Sequence, residues 1–240
     1  MTTPAAPAAN PTTGFAANYA DQIAIFDPSK VDEVVTIIGA GGIGASILPT
    51  ILTMGFTRFI LWDPDVIEDR NVTTNLIFRP QDLYEVKVER VKQYLLDNGA
   101  TEVEIRQEAF TGQEPLSGLV ISGVDTMSAR KEIWQHVVDG DVFLYMDGRI
   151  GGEHATLLVV EPFNPIQVEW YEKYWLFDDE QAATLPCTAR TVVYPAVALG
   201  TFMAAYLARW SRGVTPPAQT DINFADPEIF FQTIFVGDEA

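Results

Sequence analysis

The chain has 240 residues, 48% of them hydrophobic, enough for one α/β domain with a sizeable core. Lys and Arg total 15 against 33 Asp and Glu, a formal net charge of −18 that repels phosphate backbones and lipid headgroups and excludes nucleic acid and membranes as expected partners. The single cysteine, Cys187, excludes an internal disulfide and a cysteine-based zinc site; with no basic-plus-apolar signal ahead of the fold, a cytoplasmic address is expected.

Residues 1–14, rich in Ala, Pro and Thr, read as a mobile arm, and residues 15–240 as a single domain. Val34–Ile38 is an apolar, β-branched run that predicts a strand. The Gly-rich segment Gly39-Ala40-Gly41-Gly42-Ile43-Gly44 follows. Ile43, Ile47, Leu48, Ile51 and Leu52 then recur at helical spacing, with Pro49 expected to bend the helix. Phe59–Trp62 is a second strand closed by Asp63; Lys87–Leu96 a helix; Val103–Ile105 and Gly118–Ser122 two more strands; Met127–Val138 a helix; and Val142–Met146 a fifth strand. This alternation predicts a doubly wound, mostly parallel, Rossmann-like sheet. Antiparallel strands are expected in the C-terminal half, at Ala155–Val160 and Ile166–Tyr171, followed by a crossing loop over 172–187. A helix over Pro195–Trp210 and a final edge strand within Gly213–Phe235 complete the reading. Thr191–Ala208 carries no charge and is at the lower edge of a membrane span in length, but Tyr194, Pro195, Gly200 and Thr201 and the α/β context favour a buried core or interface helix.

The Gly-rich segment has a physical task. Its first Gly permits a tight turn, its second lets backbone approach a phosphate, and its last lets helix pack close to strand, so that N–H groups of a helix N-terminus hold an anion. Asp63 stands roughly 20 residues on, where ribose hydroxyls sit in such units. Past it runs Asp63-Pro64-Asp65-Val66-Ile67-Glu68-Asp69-Arg70-Asn71-Val72-Thr73-Thr74-Asn75, and Lys87 opens the next helix. Here the chain resembles the ThiF/MoeB/HesA family and the adenylation domains of ubiquitin-activating enzymes, which carry an acid pair after the second strand, an Asn downstream and a Lys opening the next helix. Asp125 after the fourth strand, followed by Arg130, and Asp147-Gly148-Arg149 after the fifth extend the resemblance to roughly residues 19–210.

That resemblance implies ATP with Mg2+ and adenylation of the C-terminal carboxylate of a small ubiquitin-like or sulfur-carrier protein, by a homodimer. It implies Asp125 as metal anchor, Lys87 along the phosphates, Asn71 as a phosphate donor, Asp63 with Asp65 toward the ribose, and Gly39, Gly41, Gly42 and Gly44 as the phosphate turn. The small residues Ala196, Gly200, Ala204 and Ala208 are a candidate dimer contact. Taken singly, Asp125 also reads as a helix N-terminal residue, Asn71 as a turn former and Lys87 as a solvated charge. Two stretches depart from the family: Thr74 and Asn75 stand where Arg and Gln are usual, and Asp21-Gln22 replaces Arg-Gln before the first strand. Arg70 or Arg130 is then the candidate source of the missing positive charge.

Cys187, in Leu185-Pro186-Cys187-Thr188-Ala189-Arg190, resembles the thioester cysteine of the same enzymes; its alternative is a small buried apolar residue. His136 and His154 have no neighbouring ligand types and read as structural. Tyr171, Tyr174, Trp175 and Phe177, ahead of Asp178, Asp179 and Glu180, read as core or lid packing, with binding of a partly basic protein tail as the alternative. Two other functions stay open. A nicotinamide-dependent oxidoreductase accounts for Asp63 but leaves Asn71, Lys87 and Asp125 without a shared task. A nucleotide-binding scaffold that has lost catalysis accounts for Thr74 and Asp21.

Overall fold

The computed structural model describes residues 19–178 and 192–234. The elements in chain order are β1 (Val35–Ile38), α1 (Gly42–Met54), β2 (Arg58–Trp62), α2 (Asp69–Thr73), α3 (Lys87–Asp97), β3 (Glu102–Arg106), β4 (Ser117–Ser122), α4 (Met127–Val138), β5 (Asp141–Gly151), β6 (His154–Val160), α5 (Pro165–Trp175), α6 (Val193–Trp210), β7 (Gln219–Asn223) and β8 (Glu228–Gln232). All eight strands form one sheet in the order β3-β2-β1-β4-β5-β6-β7-β8. From β3 to β5 neighbours run parallel. From β5 to β8 they run antiparallel, as the sequence predicts for the C-terminal half.

Alternating side chains feed two cores, one on each face of the sheet. Ile37, Leu61, Ile121, Leu144 and Leu157 turn toward a layer built from α1, α3 and α6. Their neighbours Ile38, Trp62, Val120, Tyr145 and Leu158 turn to the other side, where α4 and α5 supply Ile133, Trp134, Trp170 and Tyr171. Burial on both faces explains why these strands read as continuous apolar runs.

Three expectations are corrected. Ile166–Tyr171 is helix α5, not a strand: Asn164 caps it by accepting from the Ile166 and Gln167 N–H groups, and Pro165 occupies the first turn, where its missing donor does no harm. The helix extends to Trp175, so the expected crossing loop begins later; its residues 179–187 and the arm over 1–14 lie outside the described residues. The tail forms two strands, β7 and β8, rather than one; β8 is the outer edge, and Ile229, Phe230 and Phe231 along it are about half exposed.

The small-residue stripe is also not a free surface. Ala196, Ala204 and Ala208 are buried, and Gly200 lies so close to α1 that a Cβ there would sit 2.8 Å from backbone atoms of Ser46. The stripe seats α6 on α1 within one chain, which removes it as a dimer contact. Pro49 is accommodated inside α1, the helix running on to Met54 and closing at Gly55. No helix among the described residues is long and apolar enough to cross a membrane.

Because backbone cannot yield as a side chain can, Gly200→Ala is expected to push α6 off α1 and cost about 1–3 kcal/mol. Thr201→Ala, on the exposed side of the same helix, should stay within about 0.5 kcal/mol of wild type. Urea denaturation of both variants checks the difference.

Candidate functional site

The strand order reverses at β1, which lies between β2 and β4, and the crevice of such a sheet opens at the carboxyl ends of the strands flanking that point. Gly39 follows β1 with φ +94°, donates its N–H to the Trp62 carbonyl at 2.8 Å, and packs so tightly on the loop after β4 that a Cβ would meet the Gly123 oxygen at 2.9 Å. At Gly44 a Cβ would fall 2.1 Å from the Gly39 oxygen, so only glycine lets α1 start this close to β1. Gly41 differs: a Cβ there meets nothing within 4 Å. It is the N-cap of α1 and offers no side chain to its first turn, so the helix begins with a bare, open-sided turn suited to an anion.

One buried carboxylate fixes that turn. Asp63, only 5% exposed, accepts the Ala40 N–H at 2.8 Å with one oxygen and the Asp65 N–H at 2.9 Å with the other. Lys87, also buried, places its ammonium 3.8 Å from Asp63 and 2.7 Å from Asp65. Burial raises the Asp63 carboxyl above the ordinary carboxylate value, while Lys87 and the two N–H groups oppose the rise. Asp65 is the accessible acid, its side chain 60% exposed.

Lys87 arrives there through a backbone clasp. The Ile67 N–H donates to the Glu85 carbonyl, the Tyr84 N–H to the Ile67 carbonyl and the Lys87 N–H to the Asp65 carbonyl, and Val66 bridges Val86. Tyr84 turns this clasp with φ +69°, a left-handed conformation that costs a non-glycine residue roughly 1–2 kcal/mol.

The remaining predicted residues divide. Asn71 spends its side-chain oxygen on the Glu68 N–H in the cap of α2. Thr74 donates its hydroxyl to the Arg70 carbonyl, and its own carbonyl lies 3.4 Å from where a Gly42 Cβ would stand. Asn75 is buried, donates to the Gly41 carbonyl at 3.2 Å and accepts from Ile77, tying this loop to the Gly-rich turn. Arg70 is exposed and paired with Glu68 at 2.6 Å. Asp125 is exposed beyond β4, two residues past the Gly123 against which Gly39 packs, and forms no hydrogen bond or ion pair with the described residues. Among the described residues no three His, Cys, Asp or Glu side chains cluster to hold a metal alone. Cys187 lies outside the described residues.

Beneath the β4 and β5 ends is a second buried network. Asp147, fully buried, pairs with Arg130 and, at 2.7 Å, with Arg149, and accepts the Tyr171 hydroxyl at 2.9 Å and the Ser122 hydroxyl at 3.3 Å. Arg130 also donates to the carbonyls of Val124 and Gly148. It therefore braces the loop that carries Asp125 and is not available to a phosphate. His136 contacts Glu132 and the Phe110 edge, and His154 lies near Asp221, structural settings for both. Tyr171 is core, Trp175 and Phe177 lie against Arg149, and Tyr174 is exposed. The roles of Asn75, Ser122 and Tyr145 escaped the sequence reading. The one available signal was the family's usual Gln at position 75.

Since the folded Asp63 holds its proton more readily than the unfolded chain does, its contribution to stability is fully present below the unfolded value near pH 4 and is lost as pH rises through its raised folded value. The unfolding free energy of wild type minus that of Asp63→Asn is accordingly expected to fall with rising pH across this window and then level off. Denaturant titrations at stepped pH check it; a difference that grows with pH contradicts the assignment.

The sequence matches the ThiF family over residues 27–236. It is 26% identical over 206 residues to the sulfur carrier protein ThiS adenylyltransferase of Escherichia coli (strain K12), covering 82% of this chain and 80% of that protein. It is 31% identical over 107 residues to the Nedd8-activating enzyme E1 catalytic subunit of Drosophila melanogaster, covering 41% of this chain but 23% of that protein. A crystal structure of E. coli MccB with ATP shares the fold, with a TM-score of 0.71 at 18% identity over 92% of this chain and 69% of MccB. The doubly wound sheet, the Gly-rich turn held by Asp63 and a match along most of the sequence lead to one assignment: the chain belongs to the ThiF family.

Proposed function

We propose that this protein uses ATP to adenylate the terminal carboxylate of a small ubiquitin-like or sulfur-carrier protein. The observation that carries the reading is the Asp63–Lys87–Asp65 knot beneath a bare helix N-terminus, at the strand ends where Asp125 has no partner among the described residues. The names of the relatives, an adenylyltransferase and an activating enzyme, support it.

The residues present fit a nucleotide. The open side of Gly41 leaves room for phosphate oxygens beside the α1 N–H groups, and Asp65 offers an exposed acceptor to ribose hydroxyls while Asp63 holds the turn. Lys87 carries the positive charge at this rim. In the reaction a carboxylate oxygen bonds to the α-phosphorus, the bond to the β-phosphate oxygen breaks, and pyrophosphate leaves. Both reactants are anionic, so positioning and charge neutralisation supply most of the catalysis. Mg2+, when bound, would neutralise phosphate charge, and Asp125 would be the residue that holds it. Asn71 accepts the Glu68 N–H with its amide oxygen in the α2 cap, and its amide nitrogen is the group that would donate to a phosphate oxygen.

A second reading is favoured by one observation. Thr74 brings no charge to the Gly-rich turn, Arg70 is paired with Glu68, and Arg130 is committed to Asp147, so neither candidate arginine among the described residues replaces the family's usual one. This is the pattern of a nucleotide-binding scaffold without catalysis.

ATP–pyrophosphate exchange with candidate small proteins separates the two. Adenylation predicts exchange in wild type and a loss of about a hundredfold in Asp125→Ala. A thermal shift with ATP and Mg2+ but no exchange with any candidate establishes the scaffold, and a shift with NAD instead overturns both. If Cys187 accepts the acyl group, wild type forms a thiol-sensitive conjugate with its partner, and Cys187→Ala keeps exchange but loses the conjugate on non-reducing gels.

A further inference from the structure

The outer border of the sheet is apolar on both faces. Ile229 and Phe231 of β8 stand on the α6 side, as their register partners Ile222 and Thr220 do, and Phe230 stands on the opposite side beside Asp221. All three are about half exposed. Among the described residues no strand pairs the outer side of β8, so one row of its N–H and C=O groups is open. On the α6 side the apolar surface continues inward: the Phe231 ring lies 5.8 Å from that of Phe202, and α6 carries no charge from Val193 to Ala208.

The residue order within β8 selects what this border accepts. A strand related to its own copy by a twofold axis perpendicular to the sheet runs antiparallel to it, and opposed residues then share a face. β8 spans Glu228–Gln232, so centring the pairing on its midpoint, Phe230, overlaps the whole strand. Ile229 then opposes Phe231 of the second copy, Phe230 opposes its own equivalent, and Glu228 opposes Gln232. Extended by one strand on each side through the β7 register, the row through Glu228 reads Asn223, Glu228, Gln232, Gln219, so the strand's single carboxylate meets only amides. In the central row Asp221 and its equivalent are three strand spacings apart, about 14 Å, beyond the screening length of about 8 Å at physiological salt. No like charges are opposed, and the apolar residues oppose one another. This self-complementarity favours a second copy over an unrelated strand.

We propose that β8 is a self-association edge, pairing antiparallel with β8 of a second copy about Phe230, so that two eight-stranded sheets become one. The surface is separate from the small-residue stripe of α6, and the proposal stands apart from the adenylation reading.

Sedimentation velocity on the full chain, with reductant present to keep Cys187 from forming a disulfide, reads the equilibrium between monomer and dimer. For one strand pair and its flanking rings the dissociation constant is expected on the order of tens of micromolar. Each copy has a formal net charge of −18, so raising NaCl from about 20 mM to about 500 mM should tighten association about tenfold. Phe230→Lys, which sets two like charges together at the axis, should weaken it at least about tenfold. Ile229→Lys and Phe231→Glu should each do the same alone. An equimolar mixture of those two variants should return to within about threefold of wild type, since only the mixed pair sets lysine against glutamate and leaves Phe231 against Ile229. Far-UV circular dichroism shows that each variant folds. A wild type that stays monomeric at about 200 µM in the high-salt buffer, variants that associate like wild type, or a mixture without recovery overturns the proposal. Pyrophosphate exchange by a protein that is monomeric throughout leaves adenylation standing without it.

Discussion

The architecture of the rim at the carboxyl ends of β1 and β2 depends on one carboxylate. Asp63 directly follows β2, and its oxygens accept from backbone on both sides, from Ala40 in the Gly-rich turn and from Asp65 in the segment leading to α2. Remove it and the turn after β1 loses the acceptor that sets its height above the sheet. Burial makes the ionised form expensive, and Lys87 offsets that expense. The lysine is in turn placed by backbone hydrogen bonds between residues 65–67 and 84–87, including one at the left-handed Tyr84. Strain held at a turn next to a binding rim is the kind of local cost that the surrounding fold sustains.

The second half of the rim is governed by an analogous device with the charges inverted. Asp147 at the centre of the sheet draws in Arg130 from α4 and Arg149 from its own strand, and Arg130 passes the constraint on to Val124. Both loops that frame the crevice are therefore held from below by buried ion pairs rather than by apolar packing. Directional contacts of this sort fix a loop in one position, where apolar packing alone tolerates several.

Much of this was legible in advance because it is local. Apolar runs alternating with helical periods gave the parallel half of the sheet, and the spacing from the Gly-rich turn to Asp63 gave the crevice. Ile166–Tyr171 misled because Ile, Val and Trp alternate with Gln and Glu as in a strand. The competing signal was Asn164-Pro165, a helix start, and the helix buries Gln167, Trp170 and Tyr171 at positions three and four apart. The ionic networks were not legible, because their members meet only after crossovers: Asp147 and Arg130 come together across β4, α4 and β5, and Ser122 adds a hydroxyl that no pattern marks. Arg130 is the instructive case. Its position suggested a phosphate contact, and tertiary pairing turned it inward.

The outer edge of the sheet carries a different consequence. β8 ends the hydrogen-bonded ladder with Ile229, Phe230 and Phe231 facing solvent, and lacks the lysines or prolines with which edge strands commonly discourage pairing. A formal net charge of −18 opposes the pairing of two such borders at neutral pH, and that repulsion weakens as the carboxylates take up protons.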